Sequence, residues 1–271
     1  MAMEFKTKAT MQQKKKEAQD TQPNLRIGEN LRNEEWEIES TENQTSENRR
    51  EPQEQNKEDD EVPITVHFDH GNSKQELLEV LEMGFDSLMV DGSHLPFKDN
   101  VSYTKYISSL AHSKKMLVEA ELGRLSGTED DLTVEDYETK LTDINQAYEF
   151  IDTTAIDALA VCMGNVHGKY PPSGPNLRLD LLKDLYGLCS KKGVHVVLHG
   201  ASGLSKEIIE ECIKLGVRKF NVNTEVRKAY MDALSSPNKK DLIYVMTSAK
   251  EAMKAVIAEK MCLFGSAGKA C

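Results

Sequence analysis

The feature that most constrains this chain is an apolar run that ends abruptly in a polar turn of histidine and glycine. Residues 194–203 read VHVVLHGASG, in which His199 is the first residue after the apolar run. An uninterrupted apolar run of this length is typical of a parallel strand that is covered on both faces. The glycines allow backbone amides to approach a ligand closely, so the turn suits a metal ion beside an oxyanion.

Two other stretches repeat this pattern. Residues 62–71 read VPITVHFDHG, a strand that closes on Asp69 and His70, and residues 158–170 read ALAVCMGNVHGKY and contain His167. Each of these histidines is followed by glycine, as His199 is. If the strands are parallel neighbours, the three imidazoles converge at one edge of the sheet. Three histidine ligands and an open fourth position are typical of catalytic zinc sites.

Strand-like and helix-like segments alternate from residue 62 onward, which predicts an α/β fold with a parallel sheet and right-handed crossovers. Polar residues follow the strands around the whole predicted sheet and favour a (β/α)8-type (TIM) barrel, whose chemistry lies at the carboxyl ends of its strands. These residues are Asp69, His70, Asp91, Glu121, His167, His199, Asn221 and Asn223. A doubly wound sheet is the alternative, although no strand is followed by a dinucleotide or P-loop glycine motif.

Residues 1–61 differ in composition from the rest of the chain. They are dominated by Glu, Gln, Asn, Lys, Thr and Ser. Such a segment cannot bury enough apolar surface to offset the entropy of ordering, so we predict a disordered polar segment without a strand. The predicted barrel domain then spans residues 62–271, and its long acidic segment 123–143 is expected to be a mobile loop at the site.

Charge and cysteine content restrict the partners and the compartment. A net charge of −11 argues against nucleic acid or an anionic membrane as the main partner. The five cysteines form no CxxC pair, as expected for free thiols in a reducing compartment. The chain begins without an apolar signal segment and contains no apolar run long enough to span a membrane. We therefore expect a cytoplasmic protein.

Six motifs together resemble the class II, zinc-dependent fructose-bisphosphate and tagatose-bisphosphate aldolases. In chain order they are HFDHG (67–71), DGSHLPFKDN (91–100), EAELG (119–123), GNVHGKY (164–170), LHGASG (198–203) and KFNVNT (219–224). The resemblance implies a TIM barrel, catalytic Zn²⁺ and reversible aldol cleavage of a ketose 1,6-bisphosphate in carbohydrate metabolism. The products would be dihydroxyacetone phosphate and an aldehyde phosphate. It also implies a second divalent metal, a monovalent cation, and assembly as a homodimer or another oligomer.

The resemblance also assigns roles to the candidate metal ligands. His70, His167 and His199 would bind the catalytic zinc. Asp91 and Glu121 match a second metal site, or alternatively they orient the histidines.

Two carboxylates match the proton-transfer residues of this family. Asp69 corresponds to the residue that acts at the C4 hydroxyl of the substrate. Glu129, in the 123–143 segment, matches the acid–base residue that acts on the ketone-phosphate carbon, or alternatively it is a solvated loop acid.

A phosphate cradle is the third part of the implied site. Its residues match Gly168, Gly200, Ala201, Ser202, Asn221, Val222, Asn223 and Thr224. Backbone amides and hydroxyls satisfy phosphate oxygens in such a cradle. Lys219 would add positive charge to it or extend along the protein surface. The remaining histidines, at positions 67, 94, 112 and 195, are interpreted as structural.

The chain departs from the family at its N-terminal end. Two βα units are expected before the strand at residues 62–68, and the polar segment occupies their place. The chain would then contain six of eight barrel strands, with open edges at residues 62–68 and 218–222. This leaves an inactive or partner-dependent aldolase remnant as the alternative to an active lyase. A zinc amidohydrolase on the same barrel fits less well, because HFDH does not have the HxH spacing of such enzymes.

Overall fold

A computed structural model describes residues 2–4, 64–129, 132–135, 139–235 and 241–269. In chain order the strands of these residues are β1 Ala2–Glu4, β2 His67–Gly71, β3 Ser87–Val90, β4 Leu117–Leu122, β5 Ser126–Glu129, β6 Leu132–Val134, β7 Ala158–Val161, β8 Val166–His167, β9 His195–Leu198 and β10 Val217–Asn221. The helices are α1 Lys74–Val80, α2 Phe97–Ser113, α3 Ile144–Thr154, α4 Leu179–Lys191, α5 Lys206–Lys214, α6 Thr224–Leu234 and α7 Leu242–Leu263.

One parallel sheet organises the chain. Within the described residues it has seven strands in the order β1-β10-β9-β7-β4-β3-β2, and every neighbouring pair is parallel. The sheet forms a half-barrel with helices between successive strands. The predicted α/β, barrel-type fold is confirmed. The predicted strand count is wrong by one, since six strands were expected and the described part of the chain has seven.

The additional strand is β1, and it corrects the prediction for the N-terminal segment. Ala2–Glu4 pairs in parallel with β10, with Met3 opposite Phe220, so the first 61 residues do contain a strand. The predicted open edge at residues 218–222 is therefore covered at residues 219–221. Among the described strands β2 stands at the other end of the sheet. The predicted disorder of residues 5–61 lies outside the described residues.

The two faces of the sheet differ because side chains alternate along each strand. Outward-facing residues pack with the helices in one large apolar core; Leu88, Leu159, Leu198 and Phe220 are examples. On the inner face Met89, Ala160 and Val197 form a small separate apolar cluster. Alternation places Glu119, Glu121, Lys219 and Asn221 on this same inner face, toward the carboxyl ends of the strands. Polar side chains of the sheet therefore lie in the interior of the half-barrel.

The acidic segment at 123–143 was expected to be a loop, and that expectation is wrong over two short stretches. β5 and β6 form an antiparallel hairpin, and β5 also pairs in parallel with β8, with Gly127 opposite His167. The hairpin therefore borders the strand that carries one of the predicted zinc ligands. In the part of the chain that is described, no helix is both long and apolar enough to cross a membrane.

Ala155 provides a test of the backbone geometry. It ends α3 in the left-handed region, with φ 53°. This conformation costs a residue with a side chain about 1–2 kcal/mol, and glycine avoids most of that cost. Glycine relieves this strain but adds entropy to the unfolded chain, which costs about 0.5–1 kcal/mol. We therefore expect Ala155→Gly to raise the free energy of unfolding by a net amount of about 0.5–1 kcal/mol. Urea denaturation measures the change.

The control is Ala258→Gly, at an exposed position within α7. It should lower the free energy of unfolding by about 1 kcal/mol, the usual cost of glycine inside a helix. Destabilisation of similar size by both substitutions would show that Ala155 is not strained.

Candidate metal centre and substrate cleft

Four potential metal ligands converge at the carboxyl ends of the strands. His70 is the penultimate residue of β2, His167 ends β8, His199 follows β9 and Glu121 lies on β4. Each offers a nitrogen or oxygen atom, and these atoms all lie within 4.8 Å of one another. The imidazole centroids of His70 and His199 are 4.8 Å apart, and those of His70 and His167 are 5.3 Å apart. The predicted three-histidine cluster thus exists in the structure, with Glu121 as a fourth donor beside it.

Asp91 orients the first of these rings. Its Oδ2 lies 2.6 Å from His70 Nδ1, while its Oδ1 accepts hydrogen bonds from the backbone and hydroxyl of Ser93. Burial by itself would raise the pKa of Asp91, but the hydrogen bonds from His70 and Ser93 outweigh it and hold the pKa well below its usual range. An ionised carboxylate only accepts hydrogen bonds, so His70 donates Nδ1–H and its Nε2 lone pair is left for the cluster. Between the two predicted roles of Asp91, this geometry favours the orienting one.

Glu119 orients the second ring in the same manner. Its Oε1 lies 2.8 Å from His199 Nε2 in the buried interior. Burial lowers the pKa of His199 to about 4, so the ring is neutral at pH 7. Because the carboxylate accepts, the hydrogen-bond network assigns the proton to Nε2. The Nδ1 lone pair of His199 then faces the cluster, 3.0 Å from His70 Nε2.

The donor set fits a zinc ion. The two nitrogens that approach each other, His70 Nε2 and His199 Nδ1, both present lone pairs, which repel unless a cation lies between them. Tetrahedral zinc with bonds of 2.0–2.1 Å holds its nitrogen ligands roughly 3.3 Å apart, close to the 3.0 Å observed. Neutral imidazoles with a nearby carboxylate are a ligand set that zinc accepts.

A second group of possible metal ligands lies deeper in the half-barrel. It consists of His67, Asp69 and Glu119, whose donor atoms also lie within 4.8 Å of one another. The Lys219 ammonium lies 2.6 Å from Glu119 Oε2, and its positive charge disfavours a second cation there. Two roles were predicted for Lys219: positive charge in the phosphate cradle, or a side chain extended along the surface. Both are wrong, because this side chain is buried against Glu119. The predicted second divalent metal and monovalent cation stay predictions.

Asp69, the predicted proton-transfer residue, is held next to the histidine cluster. Asn221 Nδ2 lies 3.2 Å from one carboxylate oxygen of Asp69 and 3.4 Å from the other. The same amide nitrogen lies 3.2 Å from His199 Nε2. Because both atoms are donors when His199 carries its proton on Nε2, this is a close contact and not a hydrogen bond. Asn221, predicted as a substrate-binding residue, thus links the candidate base to a candidate ligand across the sheet.

A cleft of about 560 Å³ opens beside the cluster. Its lining includes His167 together with Gly168 and Thr224 of the predicted phosphate cradle. Lys169 and Arg227, which are not among the predicted site residues, also line it. The volume suits a small phosphorylated molecule, and the two cationic side chains suit its negative charge.

The other predicted cradle residues differ in what they can offer. The Ala201 amide donates to the carbonyl of Asn221 at 3.2 Å, so it already has a partner. The Ser202 hydroxyl accepts from the amide of Glu225 at 3.4 Å. Val222 is a buried core residue, and Asn223 precedes the first turn of α6. The described contacts therefore place Gly168 and Thr224 at the cleft most directly.

Glu129 ends β5 opposite Leu132 of the hairpin. Its side chain lies outside the described part of the chain, so its acid–base role stays a prediction. Glu119 was missed, although its spacing from Glu121 places both carboxylates on one face of β4. His67 was interpreted as structural, and the structure places it within 3.9 Å of Asp69 and 3.7 Å of Glu119.

Gly200 tests how tightly the turn after His199 is fixed. Its φ is 66°, and a Cβ atom there would lie 2.1 Å from the carbonyl oxygen of Val166. Gly174 has a similar φ of 86°, but nothing lies within 4 Å of its would-be Cβ. We expect Gly174→Ala to cost about 1–2 kcal/mol of stability through backbone strain alone. Gly200→Ala should cost at least about twice as much and weaken zinc binding.

Urea denaturation and zinc titration of both variants measure these effects. Equal losses of stability with unchanged zinc affinity would show that the close approach at Gly200 is unimportant.

The buried His67 ring predicts a pH dependence of stability in the metal-free protein. Burial and the nearby Lys219 ammonium lower the pKa of His67 from 6.5 to about 4. Between these two values the unfolded chain binds more protons than the folded one, so folding stability falls as pH falls through this window. The full stabilisation is present above pH 6.5, and the loss below pH 4 reaches up to about 3 kcal/mol.

Urea midpoints measured with chelator between pH 4 and 7 test this expectation. His67→Gln should flatten the slope, whereas His195→Gln, which replaces an exposed imidazole, should leave it unchanged. Parallel slopes for the parent protein and His67→Gln would contradict it.

Comparison with known proteins agrees with the geometry of the metal centre and the cleft. The family model for class II fructose-bisphosphate aldolase matches residues 35–269. A solved structure from Coccidioides immitis, provisionally assigned as a fructose-1,6-bisphosphate aldolase, is 35% identical, with a TM-score of 0.72. The match covers 77% of this chain and 74% of that one.

Two bacterial structures are also similar. The YdjI aldolase of Escherichia coli K12 is 35% identical with a TM-score of 0.65, and the match covers 78% of this chain and 72% of that one. The fructose-bisphosphate aldolase (Fba) of Campylobacter jejuni is 21% identical with a TM-score of 0.58, over 75% of this chain and 71% of that one, which supports the fold alone. The chain thus belongs to the class II fructose-bisphosphate aldolase family.

Proposed function

We propose that this protein is a zinc-dependent lyase that cleaves a ketose 1,6-bisphosphate reversibly into dihydroxyacetone phosphate and an aldehyde phosphate. Membership of the aldolase family supports the reaction class. The single observation that carries the proposal is the convergence of His70, His167 and His199 beside Asp69. This reaction requires metal ligands and a carboxylate base next to a cationic cleft, and they meet here at one edge of a parallel sheet.

His70, His167 and His199 would hold the zinc ion, with Glu121 within reach of the same position. When bound there, zinc would supply a Lewis acid for the carbonyl oxygen of the substrate. The protein's own part is to keep the rings neutral and correctly turned. Asp91 and Glu119 do so through one hydrogen bond each.

Asp69 would take the proton from the C4 hydroxyl of the substrate. The Asn221 amide holds both carboxylate oxygens and leaves them able to accept this proton. As the C4 oxygen forms the aldehyde carbonyl, the C3–C4 bond breaks and its electron pair stays on C3 of the triose fragment. That carbon then takes up a proton, for which Glu129 is the proposed donor.

The cleft would bind the triose-phosphate end of the substrate. Gly168 and Thr224 offer a backbone amide and a hydroxyl, and the nearby Lys169 and Arg227 supply positive charge. A protein with a net charge of −11 needs such local positive charge to attract a bisphosphate. Fructose and tagatose bisphosphates differ in configuration at one carbon, and both remain candidate substrates.

A cytoplasmic homodimer or another oligomer also remains part of the proposal. Apolar side chains stay exposed at the start of α7 and on α6, which supports a further protein contact at that surface. The exposed residues are Met231, Leu242, Ile243 and Met246.

The position of β2 at the end of the described sheet supports an alternative. In this alternative the chain retains zinc and phosphate binding but does not turn over without a partner.

Release of dihydroxyacetone phosphate from fructose and tagatose 1,6-bisphosphates, followed in a coupled assay, tests the proposed function. We expect release that a chelator abolishes and added zinc restores. His199→Ala should lower the rate by about 10³-fold or more, because it removes a metal ligand. The control His195→Ala, at an exposed ring at the start of β9, should leave the rate unchanged.

Zinc binding without release from either sugar would favour the non-catalytic alternative. Cleavage that survives both the chelator and His199→Ala would overturn the proposed metal centre.

A further inference from the structure

A buried chain of polar contacts leads away from the metal centre. Lys219 Nζ lies 2.6 Å from Glu119 Oε2, and Glu119 Oε1 lies 2.8 Å from His199 Nε2. These three residues belong to β10, to β4 and to the turn after β9, so the contacts cross the interior of the half-barrel between strands that are not neighbours. The side chain of Glu119 is 3% exposed and that of His199 is fully buried.

Each contact restricts the next one. The ammonium of Lys219 has only donors, so it engages one carboxylate oxygen and leaves the other to face His199. Glu119, as an acceptor, requires the proton of His199 on Nε2. The remaining nitrogen, Nδ1, then presents its lone pair toward His70 and the cluster.

The contacts around Glu119 show what Lys219 prevents. His67 Nε2 lies 3.7 Å from Glu119 Oε2, on the same side as the ammonium. Without Lys219 the carboxylate is free to turn toward His67, and His199 then loses the acceptor that fixes its tautomer. A metal ligand whose far nitrogen is held by a carboxylate is both better oriented and more basic.

We propose that Glu119 and Lys219 are positioning residues: the lysine holds the carboxylate, and the carboxylate holds His199 in the tautomer that offers Nδ1 to zinc. Neither residue is a ligand, and the ammonium excludes a second cation from the group of His67, Asp69 and Glu119. The inference rests on the proposed zinc centre, but it concerns the affinity of that centre and is independent of turnover.

Zinc affinity of the full-length protein, measured by competition with a chromophoric chelator, provides the first test. Glu119→Gln should weaken zinc binding by about 10- to 100-fold, the usual effect of removing such a partner. Lys219→Met should weaken it in the same direction, and Lys219→Arg should restore most of the affinity because it keeps the positive charge.

The double variant Glu119→Gln/Lys219→Met separates the two roles. If the lysine acts through the carboxylate, its removal should have little further effect once Glu119 is replaced. Additive losses in the double variant would overturn the proposed sequence of contacts.

Lys260→Met is the matched control: Lys260 is buried and its Nζ lies 2.6 Å from Glu225 Oε2, away from the histidines. It should leave zinc affinity within about twofold of the parent, since no ligand depends on it.

Long-range ¹H–¹⁵N NMR spectra of the metal-free protein report the His199 tautomer directly, without zinc or substrate. The parent and Lys219→Arg should show the proton on Nε2, and Glu119→Gln and Lys219→Met should show a mixed or reversed population. Folded variants with parent-like zinc affinity and an unchanged tautomer would overturn the positioning role. A parent protein that binds zinc with this pattern but releases no dihydroxyacetone phosphate would instead overturn only the proposed activity.

Discussion

The burial of an ionised carboxylate inside a curved parallel sheet is the interaction on which the rest of this site depends. Glu119 lies in the interior of the half-barrel, where an unpaired charge would be costly. Burial would raise its pKa, but Lys219 and the hydrogen bond to His199 outweigh that effect and lower it. Since these partners come from distant strands, the charge can be satisfied only when the sheet curves enough to bring them together.

This requirement links the fold to the site. The outer face of the sheet is apolar and packs against helices, which any sequence with the right alternation can achieve. The inner face carries a small apolar cluster and then a polar layer at the carboxyl ends of the strands. Curvature brings the polar layer from β2, β4, β9 and β10 into contact, and the same curvature brings the histidines within reach of one ion.

The sequence predicted the parts of the molecule that follow from local pattern. Apolar runs ending in His-Gly placed His70, His167 and His199 at one edge, because parallel strands share their carboxyl ends. The partnership of Glu119 and Lys219 was not predictable in this way. The two residues are separated by 100 positions along the chain, and alternation alone fixes the face on which each lies without naming its partner.

Strand β1 also could not be predicted from the local sequence pattern. Three residues within a polar neighbourhood show no periodicity, and their strand conformation follows from the exposed hydrogen-bonding edge of β10. The hairpin of β5 and β6 was missed for a related reason, because acidic and turn-forming residues around short strands are typical of a loop.

The two histidines nearest each other use different ring nitrogens, and this difference has a consequence for redesign of the centre. His199 presents Nδ1, which is close to its own main chain, whereas His70 presents Nε2, one atom farther along the ring. In side-chain length Nδ1 corresponds to an oxygen of aspartate, and Nε2 to an oxygen of glutamate. Exchanging nitrogen for oxygen donors, as a harder metal would require, therefore calls for aspartate at position 199 and glutamate at position 70. The opposite assignment would supply oxygen donors on side chains of the wrong length to reach the metal.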